Sequence, residues 1–299
     1  MFREEGYIVL DDTLKKMGVD TTSLETVMES DKVTVVDESS SEVFSFKCDD
    51  KNIYFKTSPM TNEYNYYAEL LAEEFAKDYG IPCASYDLAK VCGHKGVKSI
   101  DFKKGNATYI ELADIVEKYH DDFWENFNLS NVWEDLIRYY KDRENRKEIV
   151  VNLMSQIVDK FIFDLLICQF DSSNMEIMEC DGKVSLAPIF DNEYMQYEDD
   201  EFDFHFGVDE KIVPVDNYPA LSVFNRFLNI SSREYVNKVV DKMWIIGEEN
   251  IEKKFGNIER KTNYPVPENI KSAFLNRFTN YRNMLVEILN KNINNSKSK

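Results

Sequence analysis

The stretch that decides the fold is KFIFDLLICQFDSSNMEIM, Lys160–Met178. An apolar run ends abruptly in an acid, two serines and an amide. Asp, Ser and Asn favour turns because their side chains bond their own backbone. The same residues also suit a catalytic loop, and only the surrounding chain can separate the two readings. Upstream, Ile149, Leu153, Ile157, Phe161 and Leu165 recur at intervals of four, with Val150, Met154, Val158 and Ile162 beside them. A stripe this wide predicts a helix buried on most sides. Downstream, MEIM and KVSLAPIF, joined by ECDG, read as two short strands.

Working outward, residues 1–60 read as short β segments: KVTVV (Lys32–Val36), EVFSFK (Glu42–Lys47) and NIYFK (Asn52–Lys56). The clusters DESSS and CDDKN separate them as turns. A helix follows, with Tyr64, Tyr67, Ala68, Leu71, Ala72 and Phe75 at helical spacing, stopped by Gly80 and Pro82. YDLAKV and GVKSIDF, with CGHK between, read as a hairpin. Beyond Lys103 the pattern turns helical, with ATYIELADIVEKY and NVWEDLIRYY as amphipathic candidates. From about Ala220 it is helical again, broken by YPVP. A β-rich first third and a helical remainder predict an α+β chain in two lobes. The expected division is an N-lobe at 1–102, a C-lobe at 103–291 and a disordered tail at 292–299.

Composition narrows the function classes. Hydrophobic residues make up 43% and aromatics 13%, enough to bury a substantial interior. No apolar run approaches the roughly 20 residues of a membrane span, and no signal-peptide pattern opens the chain. Cys48, Cys83, Cys92, Cys168 and Cys180 show no CxxC spacing, which fits free thiols in a reducing cytoplasm. The net charge of −19 argues against a nucleic-acid partner, which would meet a basic stripe. It suits a basic protein surface, bound divalent cations, or solubility alone.

Several polar residues interrupt these patterns. On the strand NIYFK, Ile53 and Phe55 face one way while Tyr54 and Lys56 face the other. Glu69 falls beside the apolar stripe of the following helix, and a buried carboxylate needs a cation. Lys56 is the natural one. A strand lysine paired with a glutamate on the next helix is how protein kinases hold ATP phosphates. Asp171 and Asn174 then follow a buried helix, and Asp191 follows the strand pair in LAPIFDNE. An acid and an amide in a loop, a hairpin, then a further acid is the kinase order of base and metal ligands. Each feature alone reads better as a strand end or a turn; the ordered set favours the catalytic reading. His94, His120 and His205 lie apart from one another, and no GxSxG elbow or Walker loop is present. Where a glycine-rich phosphate loop would lie the chain has VDESSSE, in which Ser39, Ser40 and Ser41 are the available donors.

These residues make the chain resemble the HipA-like kinases, bacterial Ser/Thr protein kinases best known as toxins of toxin–antitoxin pairs. NEYNYYAELLAEEFAKDYGIPCASYDLA is similar to that family's first helix and its exit, and KFIFDLLICQFDSSN to its catalytic helix and loop. KVSLAPIFDN is similar to its metal-binding segment, and GVKSIDF to the strand before its hinge. The resemblance implies a two-lobed protein-kinase-like fold with a small β-rich N-lobe and a large helical C-lobe. It implies ATP and Mg²⁺ as cofactors, Lys56 as the phosphate lysine, Glu69 as its partner and Asp171 as the catalytic base. Asn174 and Asp191 would hold the metal, and backbone groups near Ile100 and Phe102 would receive adenine. It also implies a protein substrate and an antitoxin-like partner.

One departure matters. The family loop is Asp-x-His-x-x-Asn, whereas only Ser172 and Ser173 separate Asp171 from Asn174. Aligning Asn174 instead would put Gln169, which cannot accept a proton, at the base position. Two missing residues correspond to roughly 6 to 7 Å of extended chain. Three readings follow: a Ser/Thr protein kinase, a catalytically degenerate kinase fold that binds or regulates, and a small-molecule kinase.

Overall fold

Tight two-residue turns organise the strands. In the computed structural model, which describes residues 2–37, 42–57, 63–103, 105–121, 126–169, 174–192, 226–228 and 233–297, strands pair as adjacent hairpins. These are β1 (Arg3–Glu4) with β2 (Tyr7–Val9), and, beyond β3 (Val33–Asp37), β4 (Glu42–Cys48) with β5 (Lys51–Thr57). Next come β6 (Tyr86–Val91) with β7 (His94–Ile100) and, beyond β8 (Ala107–Glu111), β9 (Glu176–Cys180) with β10 (Lys183–Leu186). The β4–β5 turn holds Asp49 and Asp50 at φ 49° and 62°, and the β9–β10 turn holds Asp181 and Gly182 at 50° and 75°. Paired positive φ values match the twist of the flanking strands, and Asp and Gly tolerate them at least cost.

The first sheet has seven strands in the order β1-β2-β6-β7-β5-β4-β3. Its outer face carries Phe44, Phe46, Ile53 and Phe55, packed with Ile8, Leu14 and Val27 into a core of their own. Two short helices supply that cover, α1 (Asp11–Lys16) and α2 (Leu24–Met28), where the sequence suggested only β segments. Ser23 caps α2 by accepting from the Thr26 N–H. The inner face meets α3 (Glu63–Tyr79), whose Tyr67, Leu71, Phe75 and neighbours join the main core.

That main core is built around a long helix. α4 (Leu112–Glu117) and α5 (Leu129–Tyr139) precede α6 (Arg146–Ile167), which is buried along its C-terminal half. α6 stops at Cys168, held at φ 57° with its N–H on the Asp164 carbonyl. α7 (Arg233–Lys242), a 3₁₀ turn (Met243–Ile246), α8 (Glu248–Thr262) and α9 (Glu268–Lys297) complete the helical part. Phe75 of α3 and Phe278 of α9 pack edge to face at 5.3 Å. None of the described helices is long and apolar enough to cross a membrane.

Two expectations need correction. Ala107–Glu111, read as the start of a helix, is instead strand β8, paired antiparallel with β9 in a three-stranded sheet. Thr108, Tyr109 and Ile110 are good strand formers, and the open edge of β9 outweighs their helical spacing. The helix begins only at Leu112, whose N–H bonds the Met175 carbonyl at 2.8 Å. At the C-terminus, α9 continues to Lys297, into the segment expected to be a disordered tail.

Candidate functional site

The alternation in β5 sets up the site. Ile53 and Phe55 enter the outer core, so Tyr54 and Lys56 face the other side and line a cavity of about 400 Å³. β7 closes tightly over this point: a Cβ on Gly96 would stand 2.2 Å from the Lys56 carbonyl oxygen. Only glycine permits that approach.

α3 brings Glu69 beneath the sheet, 1% exposed, with Oε1 3.6 Å from the Lys56 ammonium. Its Oε2 accepts the Asn192 N–H at 2.9 Å, so one carboxylate ties strand, helix and the segment after β10 together. That segment is anchored by Ile189, which donates to the Pro82 carbonyl at 2.9 Å and accepts from the Ala84 N–H at 2.8 Å. Asp191 follows at once, and Lys56 also donates to its Oδ1. The other oxygen, Oδ2, accepts from the Asn174 amide at 3.0 Å. Lys56 of β5, Glu69 of α3, Asn174 ahead of β9 and Asp191 after β10 therefore meet in the wall of the cavity.

Asp191 is held by its backbone as well. Its φ is 59°, a left-handed conformation that Asp tolerates better than most residues. Its N–H donates to the Tyr86 hydroxyl at 3.0 Å, and its carbonyl accepts from the Gln169 side chain at 2.9 Å. Burial, aided by the Glu69 charge, pushes the Tyr86 phenol well above its ordinary value and keeps it neutral. Sequence reasoning missed Tyr86, because nothing in YDLAKV distinguishes a phenol that packs from one that positions. It considered Gln169 only as a rival for the base position. The structure shows Gln169 fully buried and bonded to the Asp191 carbonyl, which removes it from that role.

Ile100 and Phe102 also line the cavity, with Asp101 and Lys103 between and beside them. Lys103 bridges to Glu176 at 2.7 Å. Burial lowers the Lys103 pKa, but the Glu176 hydrogen bond and charge outweigh it, so the ammonium is held above its usual value. Asp171, Ser39, Ser40 and Ser41 lie outside the described residues.

Asp191 and Asn174 carry hard oxygens of the kind that suits Mg²⁺, an ion that takes one or two protein ligands and completes its shell with water and phosphate, although here Asn174 turns its NH₂ to Asp191. Among the described residues, no group of three or more His, Cys, Asp or Glu side chains could hold a metal by itself.

A scan against protein-family models finds no match, and neither does a search of curated proteins by sequence. Solved structures do match. The proinflammatory kinase CtkA of Helicobacter pylori aligns with TM-score 0.60 at 15% identity, over 85% of this chain and 95% of that one. HipA, in its complex with HipB and operator DNA from Shewanella oneidensis MR-1, aligns with TM-score 0.52 at 13% identity, over 93% of this chain and 72% of that one. Sequence pattern, cleft geometry and backbone course agree: the chain has an α+β, two-lobed, HipA-like kinase fold.

Proposed function

We propose that this protein is an ATP- and Mg²⁺-dependent phosphotransferase that phosphorylates Ser or Thr of a protein. The observation that carries the reading is the convergence of Lys56, Glu69, Asn174 and Asp191 in the wall of one cavity. In this reading the Lys56 ammonium binds the α- and β-phosphates, positioned by Glu69. Asn174 and Asp191 would hold Mg²⁺, which would supply positive charge to offset that of the phosphates. Asp171 orients the acceptor hydroxyl and takes its proton as the hydroxyl oxygen bonds to the γ-phosphorus. The bond from phosphorus to the β–γ bridging oxygen breaks, and ADP leaves. The net charge of −19 favours an acceptor with a basic surface, and an antitoxin-like protein partner is part of the same proposal.

Incubation with labelled ATP and Mg²⁺ is expected to label the protein or a basic acceptor, and Asp191→Ala to abolish the label. No incorporation with any divalent metal would overturn the catalytic reading. The short spacing from Asp171 to Asn174 supports a second reading, a kinase fold that binds but does not transfer. A protein stabilised by ATP–Mg²⁺, by about 2.7 kcal/mol at a hundredfold excess over Kd, yet unlabelled, would establish it.

A further inference from the structure

Asp191 is the metal ligand of the reading above, yet donors already engage both of its oxygens. The Lys56 ammonium donates to Oδ1, and the Asn174 NH₂ donates to Oδ2 at 3.0 Å. An ionised carboxylate can only accept, so both donors suit it, and the Asn174 oxygen turned to Oδ2 would be repelled. Burial does not close this carboxylate, for the Asp191 side chain is 34% exposed and lines the cavity. Charge does.

Lys56 serves a second acid as well. Glu69 stands 3.6 Å from the same ammonium and commits its other oxygen to the Asn192 N–H. One cation is therefore shared between two carboxylates. A divalent cation approaching Oδ1 meets that ammonium at hydrogen-bond range, where like charges repel and partial burial weakens screening. At Oδ2 it meets amide protons. Both donors occupy the lone pairs a metal needs, so Asp191 is a poor ligand as long as Lys56 stays. Polyphosphate oxygens accept charge-assisted hydrogen bonds from lysine as a carboxylate does. They offer the ammonium a place away from Oδ1 and bring negative charge of their own.

We infer that Lys56 gates the metal site: its ion pair closes Asp191 to divalent cations until a polyphosphate draws the ammonium away. The inference rests on the nucleotide reading above and deepens it by naming the residue that makes metal binding conditional.

The test is titration of the full chain with Mn²⁺, followed by loss of the free-ion electron paramagnetic resonance signal, with no nucleotide and no activity readout. Weak binding to the acidic surface is common to all variants, so the difference between variants is what is read. Lys56→Met is expected to bind one Mn²⁺ about tenfold or more tighter than wild type, within the usual span of coupled sites. Adding Asp191→Asn to Lys56→Met should return the affinity to that of wild type. Equal affinity in wild type and Lys56→Met overturns the inference. So does a gain that survives Asp191→Asn, because the ion then sits elsewhere. Calorimetry of wild type with ATP and with tripolyphosphate, each with Mg²⁺, separates the two readings. If neither binds, the nucleotide reading falls and takes the inference with it. If either binds while Lys56→Met gains no Mn²⁺, only the gate is lost. Should Lys56→Met not fold because Glu69 is stranded, Lys56→Met with Glu69→Gln removes that charge and is expected to show the same gain, again cancelled by Asp191→Asn.

Discussion

Lys56 and Asp191, 135 positions apart, meet in a direct hydrogen bond from the ammonium to Oδ1. Glu69 stands behind the same ammonium at 3.6 Å, so the cation lies between a helix carboxylate and a loop carboxylate. A phosphate entering the cleft would compete with Asp191 for Lys56 and free a carboxylate oxygen for a metal ion. Lys56→Met is expected to lower ATP affinity and to reduce phosphoryl transfer by about a hundredfold or more, the scale of losing one preorganised donor. Titration calorimetry and initial rates with labelled ATP would check both. Unchanged rates would show that Lys56 is structural.

Tyr86 tests how much the backbone of Asp191 matters. Tyr86→Phe removes the acceptor of the Asp191 N–H without changing the packed ring. The expected cost is about 1 to 3 kcal/mol of stability, from a buried donor left unmade, together with slower transfer. A thermal melt and a rate measurement on the same preparation would reveal either effect.

Lys160 and Asp164 form an ion pair inside α6 at 2.6 Å, with side chains 2% and 0% exposed. Lys160→Met takes the cation of this pair from the buried Asp164 carboxylate and should destabilise by about 3 to 5 kcal/mol. Replacing both, Lys160→Met with Asp164→Leu, should recover much of that loss. Urea unfolding of the three proteins gives the comparison; a double variant no more stable than the single one would argue that Asp164 has another indispensable role.

Glu73 predicts a pH dependence. Burial raises its pKa, but hydrogen bonds and charge from Lys261, the Tyr86 N–H and Lys77 outweigh that and leave it below the ordinary carboxylate value. A carboxyl whose folded pKa is depressed stabilises the protein above its unfolded pKa, and that contribution is lost as pH falls through the folded one. Stability should therefore decline on acidification from the usual carboxylate range downward. Glu73→Gln should flatten that part of the profile, measured as melting temperature against pH.

Much of the site's order along the chain was legible without coordinates. Strand alternation put Lys56 opposite Phe55, the cost of burying Glu69 called for a cation, and turn residues marked the hairpin leading to Asp191. These are local signals, because period and turn chemistry act over a few residues. Where the local signal and the fold disagreed, at Ala107–Glu111, an available strand edge overrode helical spacing.

By itself, then, the sequence determined β3 to β7, α3 and α6, which residue types interrupt them, and the order of Lys56, Glu69, Asp171, Asn174 and Asp191. Tertiary structure alone decided that Lys56 reaches Asp191 rather than solvent, that Gln169 and Tyr86 hold the Asp191 backbone, and that Glu176 meets Lys103. The physical reason is that these contacts join strands and helices distant in sequence. Their partners are set by how the sheet packs on α3 and α6, and no pattern along the chain encodes that distance.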